Sequence, residues 1–311
     1  MIIFMNPYAG GGTAHQKLGT IETELNKLLG PLKIVFLKEK ELMKENLSDL
    51  LKLGYREFVA GGGDGTVNLL LQNLIELVPA GQLSEIKIGA IGLGSSNDFH
   101  KPFRTEQMLN GIPCKLNFSF ARARDVGILT YVTSGREKRQ KYWLINASIG
   151  ITAEANLLFN TPDTLLNYLK RTRTHWAILY AAFRTIACYR NRHITVTIGK
   201  NKSRELNLTN MGILKSPFFS GNFSYNTPFE TDTGQFHINI CRDMNLVNTL
   251  TLLWNLSKSR FSGLPKTASL CSDRLTVASD KPFAVEFDGE VINTALAVFK
   301  IKQKLIRVCT C

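Results

Sequence analysis

Between residues 61 and 68 the chain reads Gly61-Gly62-Gly63-Asp64-Gly65-Thr66-Val67-Asn68, directly after the apolar run Phe58-Val59-Ala60. Glycines let a backbone come close to a phosphate, and the N-terminus of a following helix favours negative charge. An aspartate inside such a loop repels phosphate unless a divalent cation lies between them. Asp64 therefore points to Mg²⁺ that arrives with a nucleotide and is held largely by water and phosphate oxygens. The plainer reading is a tight turn whose aspartate caps the next helix. Three consecutive glycines before Asp-Gly-Thr weigh against it. The P-loop pattern and the His-Arg-Asp and Asp-Phe-Gly sets of protein kinases are absent, which excludes those two routes to phosphoryl transfer.

A second loop reads Gly92-Leu93-Gly94-Ser95-Ser96-Asn97-Asp98-Phe99. Gly94 and Ser95 offer backbone and hydroxyl donors, while Asn97 and Asp98 offer directional contacts to a ribose or purine. Alone, Ser-Asn-Asp equally caps a helix. A third segment, Phe287-Asp288-Gly289-Glu290, is a hairpin turn when taken alone. Its two acids gain meaning from the company of Asp64.

These loops need elements to position them. The first ~120 residues alternate strand and helix patterns. Strands are expected at Ile2–Met5, Leu32–Leu37, Glu57–Ala60 and Ile86–Ile91, with helices at His15–Leu29, Glu41–Leu53 and Val67–Val78. That alternation predicts a Rossmann-like parallel α/β domain. Ligands in such sheets lie beyond the strands' carboxyl ends, where Gly10–Gly12, Gly61–Gly65 and Gly92–Ser96 fall. After Phe120 the pattern changes to strands: Arg124–Gly127, Tyr142–Ile149, His193–Ile198, Leu206–Gly212, Phe236–Ile240, Arg274–Ala278 and Phe283–Phe287. One helical stretch, Asp163–Cys188, interrupts them. An antiparallel sandwich or barrel is expected.

The chain carries a net charge of +13, which favours an anionic partner. From Thr164 through Arg204 there is no acidic residue but nine Lys or Arg. Either this is a solvated basic face, or it docks on an anionic membrane surface, the reading preferred here. No basic motif of a nucleic-acid binder is present, so no nucleic-acid partner is expected. The six cysteines form no C-x-x-C pair, and the five histidines no zinc-site spacing; reduced, mostly buried thiols are expected. No apolar run reaches the ~18 residues of a membrane span, and Met1–Met5 has no basic leader. A cytoplasmic, peripherally membrane-associated protein is the expectation. Oligomeric state is not legible, with a homodimer the form to test.

Taken together, these segments resemble the diacylglycerol kinase catalytic-domain family, which also holds sphingosine, ceramide and bacterial lipid kinases. Asn6-Pro7-Tyr8-Ala9-Gly10-Gly11 is similar to its opening motif, Gly62–Asn68 to its G-G-D-G-T-[VI]-N loop, Gly92–Phe99 to its P-x-G-T-x-N-D-F segment and Asp288–Glu290 to its late D-G-E. Ala123–Gly127 and Asn146–Gly150 also sit where the family has like sequences. The resemblance implies an α/β nucleotide-binding domain over 1–122, joined by a C-terminal strand at about 297–311. It further implies a β-rich lipid-binding domain over 123–296, with the active site in the interdomain cleft. It implies ATP and Mg²⁺, with Asn6, Gly62, Gly63, Asp64, Gly65, Thr66, Asn68, Ser95, Asn97 and Asp98 around the nucleotide. Glu290 matches the general base, with Asp64 and Asp288 arranging the magnesium.

Departures from the family pattern carry expectations too. Leu37 stands where a nucleotide-contacting Thr often lies. Thr231-Asp232-Thr233-Gly234 replaces a metal-associated segment, leaving Glu230 and Asp232 as candidate oxygen ligands. Where sphingosine-type kinases place an acid shortly after the glycine matched by Gly150, the chain has Glu154 and then Asn156, and the missing second acid tilts the acceptor toward a neutral one such as diacylglycerol. The apolar residues Leu157–Phe159 and Trp176–Phe183 either line an acyl channel or form core. A soluble-substrate kinase of the NAD kinase kind and a non-catalytic nucleotide-sensing, membrane-binding module are the competing readings.

Overall fold

The structure, a computed structural model, describes residues 1–37, 40–161, 169, 174–221 and 223–310. Two compact units emerge: Met1–Val126 with Gln303–Cys311, and Gly127–Lys302.

The first unit is α/β. Strand β1 (Ile2–Met5) pairs in parallel with β2 (Lys33–Phe36) and with β3 (Glu57–Gly62), and β3 pairs in parallel with β4 (Lys87–Gly92). Beyond β4, Arg307 and Val308 of the final strand run parallel to Lys87 and Ile88. These strands are apolar on both faces, as a sheet covered by helices requires. Ile3, Met5, Val59 and Ile91 bury against Leu18, Ile21 and Leu25. The helix expected over His15–Leu29 is two, α1 (Ala14–Gly19) and α2 (Glu22–Leu29). At the break the Thr20 hydroxyl donates to the Lys17 carbonyl at 2.7 Å, a local bond that competes with helix continuation. Helix α3 spans Lys40–Lys52. Helix α4 (Asp64–Leu77) starts three residues ahead of expectation, because Asp64-Gly65-Thr66 form its first turn and Gly63 its N-cap.

The second unit is β-rich and antiparallel. Its strand order is Thr267–Ser272, Phe236–Arg242, Arg204–Leu214, Arg192–Ile198, Arg274–Phe287 and then the first part of Glu290–Thr310. Asn146–Gly150 pairs with both Arg204–Leu214 and Arg274–Phe287. Trp143, Phe236, Phe283, Phe287 and Phe299 fill its core. The single strand expected over Tyr142–Ile149 is interrupted at Leu144-Ile145. Helices at Ile151–Asn160 and Leu246–Ser257, not expected from sequence, join the one at Thr174–Cys188. The leading part of the expected helix Asp163–Cys188 lies outside the described residues. Among the described residues no helix is long and apolar enough to cross a membrane. Among the described residues the five cysteines are free; Cys114, Cys241 and Cys309 are buried, while Cys188 and Cys271 are exposed.

Candidate active site

Parallel strands that begin in step deliver their trailing loops to one edge of the first unit. The loop after β1 reaches the loop after β3 through Asn6, whose main-chain N–H donates to the Gly61 carbonyl at 2.9 Å. The Asn6 side-chain amide also lies 3.5 Å from the Thr66 hydroxyl. The same first loop touches the loop after β4, since a Cβ on Gly10 would stand 2.6 Å from the Leu93 carbonyl oxygen. The second and third loops meet backbone to backbone: a Cβ on Gly94 would come within 2.5 Å of the Gly63 Cα. Only glycine permits that approach. All three glycine loops therefore converge within one unit.

Asp64 holds the convergence together. Its two carboxylate oxygens accept the main-chain N–H groups of Asp98 at 3.0 Å and Phe99 at 2.9 Å. Asn97, in left-handed backbone, accepts from Gly94 N–H at 3.0 Å and donates to the Gly92 and Gly94 carbonyls, both at 3.1 Å. Asp98 forms a 2.6 Å ion pair with Lys101, both side chains buried. Ser95 is exposed beyond Gly94, whereas Thr66 and Asn68 are buried on α4, with Asn68 accepting from Gln72 at 3.2 Å. His100, next to this loop, is held neutral: burial, then the charge of Lys115, lowers its pKa to about 3.

No side chain caps the N-terminus of α4, so its first turn presents glycine backbone and positive helix potential to an incoming anion. Gly62 is packed against this turn: a Cβ there would stand 2.2 Å from the Thr66 hydroxyl oxygen, so the close approach requires glycine. In these contacts Asp64 accepts one main-chain hydrogen bond on each carboxylate oxygen. Among the described residues no set of three or more His, Cys, Asp or Glu could hold a metal ion. Glu230 and Asp232 are not brought together with a third ligand; Glu230 acts on His237, which stacks on Phe229 at 4.3 Å.

In the second unit, Asp288 and Gly289 both have positive φ (45° and 90°) and form the two-residue turn between the paired Phe287 and Glu290. The Asp288 carboxylate is 4% exposed and accepts three main-chain N–H groups: Leu144 at 2.6 Å, Ile145 at 2.9 Å and Asn146 at 3.1 Å. In these contacts the Asp288 oxygens anchor the strand interruption at Leu144-Ile145. Glu286 completes the turn, accepting from Gly289 N–H at 2.9 Å and from the Ser148 hydroxyl at 2.8 Å. Glu290 stands half-buried on the same hairpin. Sequence reasoning passed over Glu286; its place two residues before Asp288, on the alternate strand position, was the available signal. Glu154 forms a 2.6 Å ion pair with Arg192.

A profile of the diacylglycerol kinase catalytic domain matches residues 1–127. No curated protein matches the chain. The structure of a diacylglycerol kinase from Bacillus anthracis str. Sterne is 15% identical, covers 100% of this chain and 96% of its own, and superposes with a TM-score of 0.66. A second structure from that organism is 16% identical with the same coverage and a TM-score of 0.70. At these identities the likeness establishes the fold. A yeast NADH kinase complexed with NADH reaches 10% identity, coverage of 99% and 81%, and a TM-score of 0.49, a level that carries no argument.

Proposed function

From the premise that residues 1–127 form a diacylglycerol kinase catalytic domain, we propose that the chain transfers the γ-phosphate of ATP to a lipid hydroxyl, with diacylglycerol or a related glycerolipid as acceptor. The observation that carries the proposal is Asp64, a carboxylate fixed by two main-chain N–H groups where three glycine loops meet.

In this reading Gly62, Gly63, Gly65 and Thr66 seat the phosphates at the open end of α4. Asn6 and Asn97 hold the flanking loops in shape. Asp64 receives water from the nucleotide's metal shell. Magnesium, when bound with the nucleotide, neutralises charge that develops on the phosphoryl oxygens. Glu290 takes the proton of the acceptor hydroxyl, and Asp288 positions the hairpin that carries it. Glu154, engaged by Arg192, is already neutralised, which favours an acceptor without an amine. Such an enzyme works at a membrane surface, on the cytoplasmic side where ATP is supplied.

The test is a γ-labelled ATP assay in mixed micelles of diacylglycerol, ceramide, sphingosine or phosphatidylglycerol, beside NAD. Label in diacylglycerol supports the proposal. Label in NADP alone overturns it, and nucleotide binding without any transfer points to a sensing module.

A further inference from the structure

The helix Leu246–Ser257 lies on the second unit's surface yet contains no charged residue. Its inner face buries Thr249, Leu252 and Leu256. Its outer face presents Leu246, Val247, Leu250 and Trp254, which are 54%, 68%, 42% and 68% exposed. Positions 247, 250 and 254 fall on one stripe at helical spacing. A helix facing only water sets charged residues along that stripe.

The rim of the stripe is cationic. The Lys258 ammonium stands 5.2 Å from the centre of the Trp254 ring, and Lys258, Arg260 and Lys266 are exposed. From Met244 through Ser272 the chain has no acidic residue. At the leading end, the Asn191 side chain donates to the Met244 carbonyl at 3.0 Å, which ties the Arg190–Arg192 segment to the start of this helix. An apolar stripe with a tryptophan and a mainly cationic rim, Asp243 being the one acid just before the helix, matches the layering of a bilayer interface. There, apolar side chains enter the acyl boundary while cations meet phosphate headgroups.

We propose that the outer face of Leu246–Ser257 inserts into an anionic phospholipid surface, with Lys258 and Arg260 pairing to headgroups. This places the membrane contact on a different element from the 164–204 segment that sequence favoured. The purpose of such a contact rests on the lipid-kinase reading; its measurement does not.

The test is co-sedimentation of the full chain with vesicles of phosphatidylcholine alone or with about a third phosphatidylserine. The wild type is expected to sediment with the mixed vesicles and more weakly with the neutral ones. The V247Q/L250Q/W254Q variant is expected to lose at least about tenfold in partitioning, with its melting midpoint unchanged; Trp254→Gln alone serves if the triple variant folds poorly. K258Q/R260Q is expected to lose the preference for phosphatidylserine. Wild-type sedimentation of the apolar variants overturns the proposal, as does failure of the wild type to bind either vesicle. A wild-type dimer that the triple variant converts to monomer, with vesicle binding unchanged, assigns the face to a second copy instead. Transfer to a water-dispersed short-chain diacylglycerol is expected to survive the triple substitution. If the wild type transfers nothing while sedimentation follows the pattern above, the kinase reading fails and the membrane contact stands.

Discussion

Asp64 and Phe99 are joined across 35 positions of sequence by a 2.9 Å hydrogen bond from the Phe99 N–H to the Asp64 carboxylate. The Asp98 N–H takes the other oxygen. The first residue of α4 therefore ties the glycine loop after β3 to the glycine loop after β4.

Asp64→Asn tests that coupling. An asparagine keeps one acceptor oxygen but turns an NH₂ toward the second main-chain donor. Turnover is expected to fall at least about tenfold, and stability by about 1–3 kcal/mol from the donor left unmatched. Steady-state kinetics and urea unfolding read the two effects separately.

Glu290→Gln tests the proposed proton acceptor. The side chain is half-buried on a hairpin whose geometry Asp288 and Glu286 already fix. Turnover is expected to fall at least about tenfold with little change in nucleotide affinity or melting midpoint. Wild-type turnover in this variant would remove Glu290 from its role.

Asp288→Ala is expected to act on stability first. Three N–H groups at Leu144, Ile145 and Asn146 lose their acceptor in a buried setting. A loss of about 3 kcal/mol or more is expected in urea unfolding. A fully stable but inactive D288A protein would return Asp288 to direct metal chemistry.

Gly94→Ala probes the close approach of the two loops. The added methyl would sit 2.5 Å from the Gly63 Cα, so the loops must part. Nucleotide affinity, measured by calorimetry with ATP and Mg²⁺, is expected to drop at least about tenfold.

His100 gives a pH signature. Its pKa is lowered to about 3 in the folded protein by burial and then by Lys115, against an ordinary value near 6.5. The unfolded chain therefore binds a proton that the folded one refuses between those values. The associated stability is complete above about pH 6.5 and declines as pH falls toward about 3, by up to about 1.4 kcal/mol per unit. His100→Gln is expected to flatten that slope relative to wild type in urea titrations at stepped pH.

The α/β half was legible because apolar strands and amphipathic helices alternate, and because glycine loops after parallel strands must share one edge. What Asp64 binds was not legible: its partners lie more than thirty residues away and are main-chain groups, which leave no side-chain signature. The main-chain partners of Asp288 were hidden for the same reason, since Leu144-Ile145 reads as uninterrupted strand. The helix Leu246–Ser257 did carry a signal. Asn245 caps it, accepting from Asn248 N–H at 2.9 Å, but its apolar residues occur on both faces and blur the period. The Glu154 ion pair was not legible either, because nothing local announces Arg192, which lies 38 residues on.

The first unit is completed by Gln303–Cys311, whose Arg307 and Val308 flank β4. During synthesis the ribosome must therefore finish the entire second unit before that flank of β4 acquires its parallel neighbour. Until then Lys87 and Ile88 lack that neighbour, while Ala90 and Ile91 on the same edge already pair with Lys115 and Cys114, so a short stretch of peptide groups is open to intermolecular strand pairing.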